Sequence, residues 1–346
     1  MVKTLFEGLN AGQAEAVSSL DGPHLIIAGP GSGKTKTLVH RTLNILQQGL
    51  AKPSEIVLCT FTEKAALELR DRIRLVASEI GFSDDLSTLK VGTIHGLSNQ
   101  YVDQYRHYTT LGNNYEVLDD LTQKLFIFEN FEEIVGEKVD DKFLGKWNTK
   151  WSAIKQMIDY FNKISEEMIE VEVALTTATG FAKLILEAYS RYENLMFERN
   201  KIDFAHLQSE FVNLLTKSEI GPQIKASIKY VMVDEYQDTN YVQERLTYEL
   251  STETKNVCVV GDEDQALYRF RGATVRNILE FKELYPGTKS IEITINYRSH
   301  KSIVDTYNKF MDGQDWSNSN GQDFRFGKEI VANPAKAYGN YPPVIS

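Results

Sequence analysis

The eight residues A-G-P-G-S-G-K-T, Ala28 to Thr35, restrict the possible folds of this chain more than any other stretch. They follow a short apolar run, H-L-I-I-A (24–28). They precede an amphipathic stretch, T-L-V-H-R-T-L-N-I-L (37–46), that runs out near Gly49. A glycine-rich turn between a buried strand and a helix is the setting of a phosphate-binding P-loop. Gly29, Gly31 and Gly33 let the backbone curl so that successive N–H groups converge on phosphate oxygens, with Ser32 inside the same curl. A helix starting near Gly33 adds its positive end. Lys34 is placed to reach the β- and γ-phosphates as a point charge, and the Thr35 hydroxyl to ligate Mg2+. Ala28 stands where the strict pattern has its first glycine, a sterically mild exchange.

The alternation continues downstream. E-I-V-L-C-T-F (55–61) reads as a second strand and E-K-A-A-L-E-L-R-D-R-I-R (63–74) as a second helix, with apolar residues at three- and four-residue spacing. Strands alternating with helices of this length indicate βαβ units, hence an α/β fold with a parallel sheet flanked by helices. From about 95 to 220 helical periodicity dominates, aromatics are frequent and acids cluster, as in F-E-E-I-V-G-E-K-V-D-D. Strand signals return at Y-V-M-V-D, N-V-C-V-V-G-D and S-I-E-I-T-I-N, so the middle reads as a mostly helical insertion.

A chain of 346 residues has room for two domains, or three if one is an insertion. Its N-terminus, M-V-K-T-L-F-E-G-L-N, lacks the apolar core of a signal peptide, and no run approaches the roughly 18 apolar residues of a membrane span. The expectation is a soluble, cytoplasmic protein with no membrane partner. Cys59 and Cys258 each sit in a short apolar run and are expected as buried reduced thiols; no Cys/His cluster has zinc spacing. A net charge of -10 argues against wholesale coating by nucleic acid, yet leaves room for a local basic or aromatic groove. The closing Y-P-P-V-I-S (341–346) looks like the start of a strand with nothing after it to pair with, so either the chain is cut there, the favoured expectation, or the tail is disordered.

In Y-V-M-V-D-E-Y-Q-D-T (230–239) an apolar run ends on two adjacent acids, Asp234 and Glu235. Acids at a strand end ordinarily mark the point where the strand meets solvent. A P-loop changes that reading. A bound triphosphate brings Mg2+, and the ion needs a carboxylate at the end of a neighbouring strand, which Asp234 supplies directly or through water. Glu235 is then placed as general base for the attacking water.

Further motifs follow in order. V-G-D-E-D-Q-A-L-Y-R-F-R-G-A (260–273) and I-N-Y-R-S (295–299) lie downstream. Upstream stand L-N-A-G-Q-A-E-A-V (9–17), C-T-F-T-E-K-A-A-L-E-L-R-D-R (59–72) and V-G-T-I-H-G (91–96). The set closely resembles the UvrD/Rep/PcrA family of superfamily 1 DNA helicases over roughly residues 9–310. The resemblance implies a first RecA-like ATP-binding domain from 1–92 and 203–285, a helical insertion at 93–202, and a truncated start of a second RecA-like domain at 286–346. It implies ATP-driven movement on single-stranded DNA, or on duplex with a single-stranded tail, 3′ to 5′. The protein would be monomeric, with repair or recombination proteins as partners. The 346 residues would be an N-terminal piece that binds nucleotide weakly and hydrolyses it slowly alone.

By the same resemblance Gln13 reads the adenine edge, Tyr297 stacks on the base, Arg298 touches the γ-phosphate, and Gln265 senses the γ-phosphate or its water. Lys36 stands where the family often has Arg, keeping a cation–π contact while losing planar stacking. Catalysis thus falls to Glu235, Lys34, Gln265 and Arg298. Tyr268 and Phe270, two apart in Y-R-F-R-G, would share one face of an extended chain and stack on bases, with Phe270 where the family usually has Trp. Phe61 is a third stacking platform; Thr93 and His95 would meet the DNA backbone, with a satisfied structural histidine as the other reading of His95, and Arg271 would either meet that backbone or brace the groove by a salt bridge. Glu63 replaces a usual Asn or Arg, which weakens the case for DNA contact there. Lys64, Arg70 and Arg74 read as a solvated charged face. Two other readings use the same motifs: a nucleotide-gated single-strand-binding or scaffold module that does not unwind, and the helicase subunit of a recombination nuclease.

Overall fold

An apolar run without polar alternation, such as His24–Ala28, has to be covered on both faces, and the structure places it inside a sheet. In the computed structural model, which describes residues 3–136, 149–266, 276–317 and 325–339, this strand (β1, His24–Ala28) is buried at every position. Next in chain order come β2 (Ile56–Thr60) and β3 (Lys90–Thr93). A separate parallel pair follows, β4 (Glu116–Leu118) with β5 (Lys201–Asp203), and then β6 (Tyr230–Val233), β7 (Val257–Gly261) and β8 (Lys289–Ile293). The central sheet has the order β3-β2-β6-β7-β1-β8, and every neighbouring pair in it is parallel. The chain turns into the phosphate-cradle sequence directly after β1.

Residues group into two compact units. One comprises Met1–Ile94, Gln223–Thr239 and Thr247–Ser346 and holds the central sheet. Its helices include α1 (Ala11–Ser18), α2 (Lys34–Gln47) and α3 (Glu63–Glu79). α1 starts on a reciprocal cap, because Asn10 Oδ1 accepts from the Gln13 amide while Gln13 Oε1 accepts from the Asn10 amide. Thr62 caps α3 by accepting from the Ala65 amide. The core runs from Ile26, Leu58, Met232 and Val260 in the strands to Leu38, Leu43, Leu69 and Ile73 in the helices. Each such Leu or Ile contributes roughly 1.5–3 kcal/mol on burial. Arg41 is buried among them and donates to the Ala16 and Ser19 carbonyls, tying α2 to the end of α1. Cys59 and Cys258 are free and buried in β2 and β7, and burial pushes the Cys59 thiol up to about 12.

The other unit comprises His95–Pro222 and Asn240–Leu246, with a core of Phe126, Ile154, Met157, Phe161, Tyr192 and Met196. The division differs from the expected boundaries in three main places, the first being Asn240–Leu246, expected with the ATP-binding domain and grouped with the helical unit. Residues 203–222, expected with the ATP-binding domain, group with the helical unit, because helix Phe204–Thr216 packs on helix Lys150–Glu166 and β5 pairs with β4. The segment after 286, expected to open a separate domain, contributes β8 to the first sheet beside β1. No helix among the described residues is long and apolar enough to cross a membrane.

Candidate functional site

The loop after β1 takes a shape that side chains oppose. Gly31 has φ +66° and Gly33 φ +87°, in the left-handed region where glycine carries no steric cost. A Cβ at Gly31 would also stand 2.8 Å from Arg298 Cβ, and one at Gly33 would stand 2.8 Å from Gln13 Nε2. α2 begins at Lys34 with Gly33 as its cap and no capping side-chain hydrogen bond, an arrangement suited to an anion. The loop is held from outside. Gly29 N donates to Ile293 O (3.1 Å), Tyr297 N to Gly31 O (2.9 Å), and Gln13 Nε2 to Ser32 O (2.7 Å). Ser32 is buried, and its hydroxyl has no partner among the described residues.

The acid pair lies against this loop. Lys34 Nζ is 2.7 Å from Glu235 Oε2, and Thr35 Oγ1 donates to Asp234 Oδ2 at 3.4 Å. Asp234 extends the β6–β2 ladder by donating its amide to Cys59 O, and its Oδ1 accepts from the Glu235 amide at 3.0 Å. Glu235 then takes φ +53°, which costs a non-glycine residue on the order of 1 kcal/mol. That turn separates the two carboxylates: Asp234 is 7% exposed, whereas the Glu235 side chain is 35% exposed. Burial and then the Glu235 charge push Asp234 up to about 6, against the pull of Lys34. Asp238 is pushed up to about 6 for the same two reasons, and its Oδ1 is buried with no partner among the described residues.

Three carboxylates thus crowd one ammonium, an arrangement short of positive charge. No group of three His, Cys, Asp or Glu among the described residues forms a closed metal cage. An oxygen pair from Thr35 and Asp234 beside a phosphate cradle fits a hard cation that keeps much of its water and takes its other ligands from phosphate, as Mg2+ does.

Gln237 links the acids to the next strand end. Its Nε2 donates to Glu235 Oε2 (2.9 Å), its Oε1 accepts from the Asp262 amide (3.0 Å), and Asp262 Oδ2 accepts from the Gln265 side chain. On the other side of the loop Asn10 Nδ2 donates to the Tyr297 hydroxyl (2.9 Å), and Tyr297 is 41% exposed. Lys36 Nζ donates to Gly8 O (2.5 Å), with partial burial lowering its pKa. Asn296 Oδ1 accepts from the Arg298 and Ser299 amides, which fixes the turn carrying Arg298. Lys34, Thr35, Asp234, Glu235, Gln13, Tyr297, Lys36 and Arg298 therefore surround one loop.

The residues expected at DNA are placed differently. Thr93 is buried, and its hydroxyl donates to Glu63 Oε1 at 2.6 Å. His95 belongs to the helical unit, where its Nε2 lies 3.0 Å from Gln208 Nε2 and its ring meets Phe204 edge-on at 5.7 Å. Phe61 is half-buried just after β2; Arg70, expected on a solvated charged face, instead donates to Val91 O at 2.7 Å in a partly buried contact. Tyr268, Phe270 and Arg271 lie outside the described residues.

Sequence reasoning missed Asn10, Gln237, Asp238 and Asn296. Asn10 carried a signal, since Asn followed three residues later by Gln just before an apolar run is a helix-start pattern.

The matched motifs have a counterpart among known proteins. Residues 9–286 match the UvrD/REP helicase N-terminal domain family. The chain belongs to that family. The UvrD/REP match ends before Tyr297 and Arg298. Proteins named ATP-dependent DNA helicase PcrA, from Staphylococcus epidermidis and Staphylococcus aureus, are each 31% identical to it over 310 residues. That alignment covers 89% of this chain and 40% of each relative, so the chain spans about two fifths of the curated relatives it matches.

Proposed function

We propose that this protein hydrolyses ATP and couples the reaction to movement along single-stranded DNA, as a 3′ to 5′ helicase or translocase. The unit holding the central sheet acts as a RecA-like nucleotide-binding domain, and the unit of His95–Pro222 and Asn240–Leu246 is its helical insertion. The observation that carries the nucleotide half is the meeting of Lys34 with Glu235 at 2.7 Å beside the Thr35–Asp234 pair. The DNA half is supported by family membership and by the name its relatives carry, ATP-dependent DNA helicase PcrA.

In this reading the loop amides and the positive end of α2 bind the phosphates, and Lys34 exchanges its Glu235 partner for a γ-phosphate oxygen. Glu235, freed from the ammonium but still held by Gln237, accepts the proton of the attacking water. Thr35 and Asp234 would hold Mg2+, which when bound offsets charge building on the phosphates. Gln13 spends one N–H on Ser32 and one lone pair on Asn10; its second N–H and second lone pair face the adenine edge. Tyr297 and Lys36 flank the base, Arg298 reaches the γ-phosphate, and Gln265 relays phosphate state toward DNA. Tyr268, Phe270 and Phe61 stack on bases, Arg271 meets the strand, and Thr93 and His95 contact its backbone after leaving their present partners.

The test is ATP hydrolysis by the full-length protein with and without a single-stranded oligonucleotide. Stimulated turnover that vanishes in Lys34→Ala is expected. Phe270→Ala should weaken oligonucleotide binding while leaving nucleotide affinity unchanged. Turnover indifferent to DNA, or undiminished by Lys34→Ala, would overturn the proposal.

A further inference from the structure

The turn after β7 carries three consecutive acids, Asp262, Glu263 and Asp264, and all three side chains are at most 3% exposed. Buried carboxylates at that spacing need a cation. It arrives from a distant part of the chain. Lys328, whose side chain is fully buried, puts Nζ 2.8 Å from Asp262 Oδ1, 2.7 Å from Glu263 Oε1 and 3.1 Å from Asp264 Oδ2. The ammonium is shared among the three as an ionic contact, with no single aligned hydrogen bond. Arg325 Nε adds a bond to Asp264 Oδ1 (2.9 Å), the Tyr307 hydroxyl donates to Asp264 Oδ2, and Phe326 N donates to Glu263 Oε1 (2.9 Å).

The same segment reaches the phosphate loop. Asn308 holds both backbone groups of Ile330, at 3.2 and 2.7 Å. Val331 N donates to Thr294 O and Asn333 N to Asn296 O, each at 3.0 Å. The Ile330 side chain lies so close to Gly29 that a Cβ there would stand 2.1 Å from Ile330 Cδ1. Residues 325–333 therefore touch the acidic turn at one end and the cradle at the other.

Asp262 is the junction. One carboxylate oxygen faces Lys328, and the other accepts from the Gln265 side chain. Its amide donates to Gln237, Gln237 donates to Glu235, and Glu235 pairs with Lys34. Polar contacts run unbroken from Lys328 to the P-loop lysine. We propose that Lys328 is a positioning residue for hydrolysis: by fixing Asp262 it sets the Gln265 side chain and, through Gln237, the stance of Glu235. The inference rests on the ATP-hydrolysing reading above. The competing account is that Lys328 only neutralises the turn so that the chain can fold.

Lys328→Met alone strands three buried acids and invites misfolding, so the informative protein is Lys328→Met/Glu263→Gln, which removes one charge of each sign. Glu263→Gln alone is the control, with wild type and Lys34→Ala alongside, all in the full-length protein. Thermal unfolding, binding of a fluorescent ATP analogue, and kcat and KM for ATP are measured. Expected for the double variant are cooperative unfolding and unchanged analogue affinity and KM, with kcat lowered roughly 10- to 100-fold, as a small displacement of a catalytic group does. Glu263→Gln alone should keep the wild-type kcat. A folded double variant with wild-type kcat, or one whose whole defect lies in KM, overturns the inference and leaves Lys328 a charge neutraliser. Failure of the underlying reading looks different: wild type and Lys34→Ala would then be alike in binding and turnover, and the inference falls with it.

Discussion

At the scale of single residues, the contact that decides most is Lys34 with Glu235. On the proposed reading, a carboxylate 2.7 Å from the Lys34 ammonium competes with phosphate for the same charge. Glu235→Gln removes that competition and the proposed proton acceptor together, while the amide keeps the side chain's shape. Nucleotide affinity in Glu235→Gln should equal or exceed wild type, whereas turnover should fall by about 10²–10⁴, the usual worth of a general base. Equilibrium titration and single-turnover hydrolysis separate the two effects; wild-type turnover in this variant would remove Glu235 from the base role. The sequence made the lysine and the acids legible because the lysine opens a helix behind a glycine-rich loop and the acids close a strand, each with a demanding local signature. It did not reveal Gln237, which links Glu235 to Asp262, since a glutamine two residues past an acid has no spacing rule of its own.

At the scale of elements, the start of helix Phe204–Thr216 holds a buried charge. Asp203 caps it, accepting from the His206 amide (2.8 Å), and also lies 2.8 Å from His206 Nδ1. Tyr189 and Glu193 face the other ring nitrogen, at 3.0 and 3.4 Å. Burial works against the imidazolium, but the Asp203 charge and bond, followed by Glu193, prevail and raise His206 to about 9. A raised histidine pKa gives stability that is fully present below the unfolded value near 6.5 and is lost as pH climbs through about 9. The contribution is about 3 kcal/mol. Urea unfolding followed from pH 6.5 to 9.5 should show the helical unit weakening, and His206→Gln should flatten that dependence; equal slopes would refute the charged imidazolium. Little of this is legible in the sequence, because Tyr189 and Glu193 come from another helix. Strand β1, by contrast, has the same bounds in sequence and structure, since an unbroken apolar run closed by glycine admits few alternatives. The apolar spacing of helix α3 carries to residue 74, yet the helix runs to Glu79, its last turns carrying the exposed Leu75 that blurs the apolar stripe.

At the scale of the whole molecule, the parallel sheet was legible from alternation, while the limits of the two compact units near 203 and 286 were not. Boundaries depend on which partners a segment finds: β5 on β4, and β8 on β1. Lys328 was equally hidden, a lone lysine whose meaning depends on three acids far upstream. Net charge, however, is a property of the sum and needs no fold. At -10 the chain as a whole repels a polyanion, so of the two grooves this charge leaves open, basic or aromatic, the proposed strand binding is expected to draw mainly on stacking, worth about 1–3 kcal/mol per base, with few phosphate contacts. Each neutralised phosphate on a single strand adds about -0.7 to the slope of log K against log salt, so about three contacts give a slope near -2. Oligonucleotide titrations across a range of salt should return that shallow dependence, with affinity surviving where a basic groove would let go. A slope steeper than about -5 would require roughly seven or more phosphate contacts and would replace the stacking account with a basic track.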